Sequence, residues 1–407
     1  MKNWNIEELK AQAKTYDKKE VYAGKVKKVQ DEMKKNDLTA IISFKPQNTF
    51  ALSGFNPILY SHPVVVIVPA EGEAVLLVHS LRANHSKDQA CLRDIRLFGA
   101  WGTQKPMADN AYDAISMILD EKKLKGGKIG YEGDFLSMTQ FNKLKEISEA
   151  AEMVNVQDLL LNSRMIKTEY EILMLKMASY LANIGMVAAI DNIRKSEIEA
   201  SIAAEIAMRQ AWSRDLGEYE VASFGNTEGG IVNALWCYSC SGTRVPYGCE
   251  CPSNRVPKEG EVCLPVCWAA IDGYHTENER TVMIGDIDER HLEAYKAMNE
   301  GRKRAFAMMK EGVTAGEVDD AATSAYVEAG FEAYLPGRVG HGMGQSLHEV
   351  PSLNRNSKMV LKEGMVCTVE PGLVFPDWGS TRHSDTVVIR KDGIEILTTY
   401  EEEFIKR

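Results

Sequence analysis

The chemistry-bearing residues of this chain gather between Gly337 and Gly372. His341 and His348 stand seven residues apart among glycines, and Glu370 precedes a Pro371-Gly372 stop. Gly340, Gly342 and Gly344 allow the backbone to approach a neighbour closely or to take up positive φ. Residues 361–369 read as a short apolar strand with a Lys362-Glu363-Gly364 turn at its start, delivering Glu370 at its end. A loop histidine beside a strand-end carboxylate is the geometry of a hydrolytic or metal site. The plainer alternative is a glycine-rich hairpin with a structural histidine.

The elements that must position these residues fall into two patterns. Up to about residue 160, strands alternate with helices. Helix is expected over 1–36, 46–52, 80–90, 108–120 and 138–149, and strand over 39–44, 64–68, 74–77, 95–98 and 129–131. That alternation predicts an α/β domain with a largely parallel or mixed sheet. From Thr168 a long amphipathic helix is expected to 193, opened by Thr168 and Glu171 as a capping box, and a second runs 196–214 from Ser196 and Glu199. Beyond Val221, strand signals at 222–224, 261–268, 280–284, 365–369 and 386–390 are interrupted by helices at 288–310 and 315–329, an α+β pattern. The predicted boundary makes two domains, 1–160 and 161–407.

Composition narrows the function classes. The 407 residues are 44% hydrophobic and 26% charged, with a net charge of −10, an ordinary globular balance. No basic run suggests a nucleic-acid surface. The longest apolar run, PVVVIVPA at 63–70, is too short to span a bilayer. The first residues lack the apolar core of a secretory signal, so the eight cysteines are expected as reduced thiols in a cytoplasmic protein.

Five blocks carry a resemblance: RMIKTEYEILMLKMA (Arg164–Ala178), GYHTENERTV (Gly273–Val282), VGHGMGQSLHEVP (Val339–Pro351), LKEGMVCTVEPGLV (Leu361–Val374) and RHSDTVVI (Arg382–Ile389). In this order they resemble the superfamily of creatinase, prolidase, aminopeptidase P and methionine aminopeptidase, across the whole chain. The resemblance implies a creatinase-like α/β N-terminal domain, an α+β C-terminal domain of the pita-bread fold, and a homodimer. Its peptidases hold two metal ions with two Asp, one His and two Glu. Carried over by position, His341 and Glu370 are kept, Glu277 replaces an Asp, and Val266 and Ser384 replace the first Asp and the second Glu. Valine offers no ligand atom and serine only a neutral hydroxyl, so a dinuclear site is not expected. A mononuclear divalent site at Glu277, His341 and Glu370, with His383 as a further ligand, stays open; otherwise no cofactor is expected.

Creatinase resembles the chain in a second respect, because it works in the same pocket without metal. Its recognition glutamate is matched by Glu279 of the Glu279-Arg280-Thr281 triplet and its second carboxylate by Glu370. Its catalytic histidine has no counterpart here, and that position falls on Tyr247 or Cys249. The leading expectation is therefore a metal-independent hydrolase of a C–N bond in a small guanidino, amidine or amide compound. The alternatives are an Xaa-Pro aminopeptidase or dipeptidase with an altered metal site, and a non-catalytic binding protein of the same fold.

In a closed pocket, Glu277, Glu279 and Glu370 would repel one another and raise at least one pKa, which suits general acid–base work with His341 and His348. Glu279 and Glu370 are expected to hold a cationic nitrogen through charge-assisted hydrogen bonds; the alternative for Glu279 is an ion pair with Arg280 or Arg382. Tyr247, Cys249, Arg382 and His383 are the expected substrate-binding residues. Cys237, Cys240, Cys249 and Cys251 admit a structural zinc, although separately packed reduced thiols are the simpler expectation.

Overall fold

The computed structural model describes residues 4–224, 234–248, 250–376, 379–400 and 404–407. The chain divides into two compact units, one of Met1–Ala13, Met165–Ser223 and Asn233–Arg407, the other of Lys14–Arg164 and Phe224–Val232.

The second of these carries a six-stranded mixed sheet. Its strands are β1 (Ala40–Ser43), β2 (Val65–Pro69), β3 (Val75–His79), β4 (Asp94–Phe98), β5 (Lys128–Tyr131) and β6 (Glu152–Asn155), in the order β4-β3-β2-β1-β5-β6. The pairs β1/β2 and β2/β3 are antiparallel and the rest parallel. β1 and β2 are buried along their whole lengths, as strands covered on both faces are. The single helix expected over 1–36 is two, Ile6–Ala13 and Lys18–Lys35, because Asp17 takes an extended conformation and its side chain accepts from the Lys19 amide as an N-cap.

The other unit is built on a ten-stranded sheet among the described residues. Its strands are β7 (Leu235–Ser241), β8 (Val262–Ile271), β9 (Tyr274–Glu279), β10 (Val282–Met283), β11 (His341–Gly342), β12 (Glu349–Ser352), β13 (Val366–Val369), then, after a separate hairpin of β14 (Gly372–Phe375) and β15 (Gly379–Arg382), β16 (Ser384–Arg390), β17 (Gly393–Ile396) and β18 (Ile405–Lys406). The main path runs β12-β11-β13-β16-β9-β8-β10-β18, with β7 on β8 and β17 on β16. Only β8, β10, β13 and β16 match strands expected from the sequence; β7, β9, β11, β12, β14, β15, β17 and β18 were not expected, and the strand expected over 222–224 does not form.

This unit also holds the helix Ile6–Ala13; its long helix, Glu169–Asp191, opens on the capping box: Thr168 accepts from the Glu171 amide and Glu171 Oε2 accepts from the Thr168 amide. By length and composition the helix could cross a membrane, but 72% of its most apolar window is buried inside the protein. It lies against β8 and β9 as a core helix. Thr276 and Asn278 of β9 point to it, with Thr276 Oγ1 2.9 Å from Ser179 and Asn278 donating to Asn183 at 2.8 Å. Side chains alternate across a strand, so Glu277 and Glu279 face the other way. That opposite face carries the site.

Candidate active site

His341 and Glu370 are brought together by the β11/β13 ladder. The His341 amide donates to Thr368 Oγ1 at 3.0 Å, and the Glu370 amide donates to the Val339 carbonyl at 2.8 Å. The glycines flanking His341 make this approach possible. A Cβ on Gly340 would lie 2.2 Å from the Thr368 carbonyl oxygen, and one on Gly342 would lie 2.1 Å from that of Val350. Neither takes up positive φ, so the crowding of neighbouring strands is what requires glycine here. The strand expected over 361–369 begins only at Val366, since Gly364 turns the chain at φ 83°.

His341 is buried, and its Nδ1–H donates to the Gly342 carbonyl at 3.0 Å. A carbonyl only accepts, so the proton sits on Nδ1 and the Nε2 lone pair is left without a hydrogen-bond partner. That nitrogen lies 3.5 Å from Glu370 Oε1. Glu277, on β9, completes the group: one ligand atom from each of Glu277, His341 and Glu370 lies within 4.8 Å of the others. Burial, and next the negative charge of Glu277, push the Glu370 carboxyl up to about 7, while burial lowers His341. The His348 ring stands 4.3 Å from that of His341, and its partial enclosure and the neighbouring imidazole lower its pKa too.

Glu277, His348 and Glu370 line a cleft of about 380 Å³ whose wall also includes Tyr238, Trp268, Arg338 and Arg382, within the size range of small-molecule sites, while His341 sits behind that wall. Arg338 is partly exposed, with Nε 3.7 Å from Glu370 Oε1. Tyr247 stands at the rim, 65% exposed. Cys249 lies outside the described residues.

Three expectations need correction. Glu279 is not available to grip a cationic substrate, because Arg382 Nε and Nη2 bind its two oxygens at 2.5 and 2.9 Å. The same pair commits Arg382, which reaches the cleft as the partner of Glu279 and also donates to the Gly248 carbonyl at 3.1 Å. His383 does not join the site: its buried ring is 3.0 Å from the Tyr295 hydroxyl, and burial, with the charge of Arg280, holds it well below the ordinary histidine range. Arg280 itself serves Asp385, which it and Arg302 hold down at about 2 against the opposing effect of burial. Among the described residues, Cys237, Cys240 and Cys251 come together in no metal site. Cys237 and Cys240 are buried on β7, three residues apart and so on opposite faces, while Cys251 is exposed.

Two contributors went unnoticed in the sequence. Trp268 donates its indole N–H to Glu277 Oε2 at 2.7 Å, and Arg338 sits beside Glu370. The only sequence signal for Arg338 was its place just before the Gly340-His341 pair; Trp268 had none, being one apolar residue of a strand.

The C-terminal residues 174–391 match the model of metallopeptidase family M24, and residues 25–166 match the creatinase/prolidase N-terminal domain. The chain belongs to metallopeptidase family M24. It is accordingly a hydrolase, with the pita-bread C-terminal domain of that family. It is 29% identical to an Xaa-Pro dipeptidase of Pyrococcus furiosus over 375 residues, 92% of this chain and 97% of the relative. A creatinase of Bacillus sp. is 25% identical over 302 residues, 72% of this chain and 71% of the relative. The crystal structure of the prolidase from Pyrococcus horikoshii superposes with a TM-score of 0.78 at 27% identity, covering 94% of this chain and 100% of that one. Among these relatives the dipeptidase likeness spans more of this M24 chain than the creatinase likeness, and the metal independence expected from the sequence finds no support in them.

Proposed function

We propose that this M24 hydrolase cleaves a C–N bond in a small, carboxylate-bearing substrate, with Xaa-Pro dipeptides as the first class to test. The observation that carries the reading is the convergence of Glu277, His341 and Glu370, two of which line a small cleft. The Xaa-Pro dipeptidase names of its extensive relatives give the substrate class.

Family membership implies divalent metal, and the donor set fits one ion. Two carboxylates and a neutral imidazole with an unpartnered, buried Nε2 are ordinary ligands for a divalent cation. The Gly342 carbonyl fixes the tautomer, as outer partners of metal-binding histidines do. Glu277, His341 and Glu370 would hold it, and such an ion supplies Lewis acidity and lowers the pKa of bound water.

The chain's own groups supply the rest. With an ion bound Glu370 would serve as an ionised ligand, so the proton it holds up to about pH 7 belongs to the metal-free protein. His348, uncharged at neutral pH because its pKa is lowered, can accept a proton and return it to the departing nitrogen. In the net reaction water oxygen bonds to the carbon, the C–N bond breaks, and the nitrogen leaves protonated. Arg338 offers its guanidinium to the substrate carboxylate. The proposal also carries a homodimer and a cytoplasmic setting, which sedimentation and cell fractionation would check.

A second reading, creatinase-like hydrolysis of a guanidino, amidine or amide compound without metal, is favoured by Val266 and Ser384 at two ligand positions of the resemblance. One assay separates the two. The protein is incubated with a panel of Xaa-Pro dipeptides and guanidino and amidine acids, with Mn²⁺ or with chelator, and released amine is measured. Mn²⁺-dependent release from dipeptides is the expected result. Chelator-resistant release from a guanidino or amidine compound alone would replace it with the second reading.

A further inference from the structure

Glu277 is gripped from two sides by the protein. Trp268 lies opposite it in the β8/β9 register and donates Nε1–H to Oε2 at 2.7 Å. Ser384, opposite Glu279 in the β16/β9 register, reaches diagonally to donate Oγ–H to Glu277 Oε1 at 2.6 Å. All three side chains are buried. Each carboxylate oxygen keeps one further lone pair, enough for one ligand bond towards His341 and Glu370.

Beyond Trp268, the β8 side of Glu277 offers no ligand atom for a cation. Val266, two residues before Trp268 and on the same face, is fully buried in the apolar cluster with Tyr238, Trp268 and Leu373. Glu279, opposite Val266, has both oxygens bound by Arg382. A dication placed there would meet an isopropyl group, a hydroxyl already donating to Glu277, and a guanidinium of like charge. Its only unspent anion would be Glu277.

We propose that Trp268 and Ser384 form a positioning clamp on Glu277 that stands in for a second cation, so that the centre holds one divalent ion per chain, through Glu277, His341 and Glu370, and not two. The inference deepens the hydrolase reading and rests on its metal centre, but it is tested by counting ions and so is independent of the substrate.

The test strips the full-length protein with chelator and titrates it with Mn²⁺, following binding by calorimetry and the desalted complex by elemental analysis. One ion per chain is expected; two tightly held ions, or none, overturn the proposal. In Val266→Asp/Ser384→Glu the count is expected to rise to two, and a count unchanged at one in a folded variant overturns the assignment of these positions. Should that variant not fold, Trp268→Phe decides, since it keeps a ring and loses only the N–H. Its Mn²⁺ affinity is expected to fall 10- to 100-fold, as for other outer partners of metal ligands. An affinity equal to the wild type would overturn the clamp.

Discussion

At the level of single residues, the Glu279–Arg382 pair determines what the cleft can offer a ligand. Glu279 is 2% exposed as a side chain and Arg382 22%, so neutralising one member leaves the other poorly solvated. Breaking a buried pair costs about 3–5 kcal/mol, and partial exposure of Arg382 brings the expectation for Glu279→Gln to roughly 2–4 kcal/mol. Denaturant midpoints would register that loss; an unchanged midpoint would return Glu279 to the pool of substrate-binding groups. Glu370 gives a second residue-scale prediction. Its folded pKa, about 7, lies above the unfolded 4.5, so its ionisation opposes folding. The cost is absent below pH 4.5, grows as pH rises through 7, and is then full, on the order of 3 kcal/mol. Glu370→Gln should therefore stabilise the metal-free protein at pH 8 and not at pH 4.5, measured as thermal midpoints. His341, His348, Glu277 and Glu370 were legible in the sequence because each sits in a motif with unusual neighbours. The ion pair of Glu279 was legible only as an alternative between Arg280 and Arg382; sequence could not choose, because Arg382 is 103 positions away while Arg280, next door, is committed to Asp385.

At the scale of elements, the site depends on how close β11 comes to its neighbours. Gly342→Ala would set a methyl 2.1 Å from the Val350 carbonyl oxygen, an atom of the backbone. The strand must shift, and His341 with it. A displacement near 1 Å is enough to cost about 100-fold in turnover, so Gly342→Ala should lose activity and Mn²⁺ affinity together while far-ultraviolet circular dichroism stays near the wild type. Five of the six N-terminal strands and most of the helices were readable from periodicity and caps, but β6 and the helix Gln157–Ser163 were not. Thr168-x-x-Glu171 is the capping box it was expected to be. Strand β9 was not readable, because YHTENE shows no apolar alternation: Glu277 and Glu279 face the cleft, and Thr276 and Asn278 find polar partners on the helix Glu169–Asp191. A strand whose two faces are both polar and both buried escapes any rule based on hydrophobic period.

For the molecule as a whole, the family and the pita-bread domain followed from five ordered blocks, whereas metal content and substrate depend on side chains that meet only in three dimensions. Metal binding should couple to global stability. At Mn²⁺ 100-fold above its Kd, the folded state gains about 2.7 kcal/mol by mass action. A rise in thermal midpoint with Mn²⁺, abolished in His341→Ala, is the expected result; no shift in the wild type would speak against the centre. The most direct test of the account is the release of proline from Xaa-Pro dipeptides by the Mn²⁺-loaded protein, compared with His341→Ala. The account predicts turnover by the wild type and a loss of at least roughly 100-fold in the variant. Equal rates in the two proteins, or no cleavage of any dipeptide or guanidino compound by a correctly folded wild type, would contradict it.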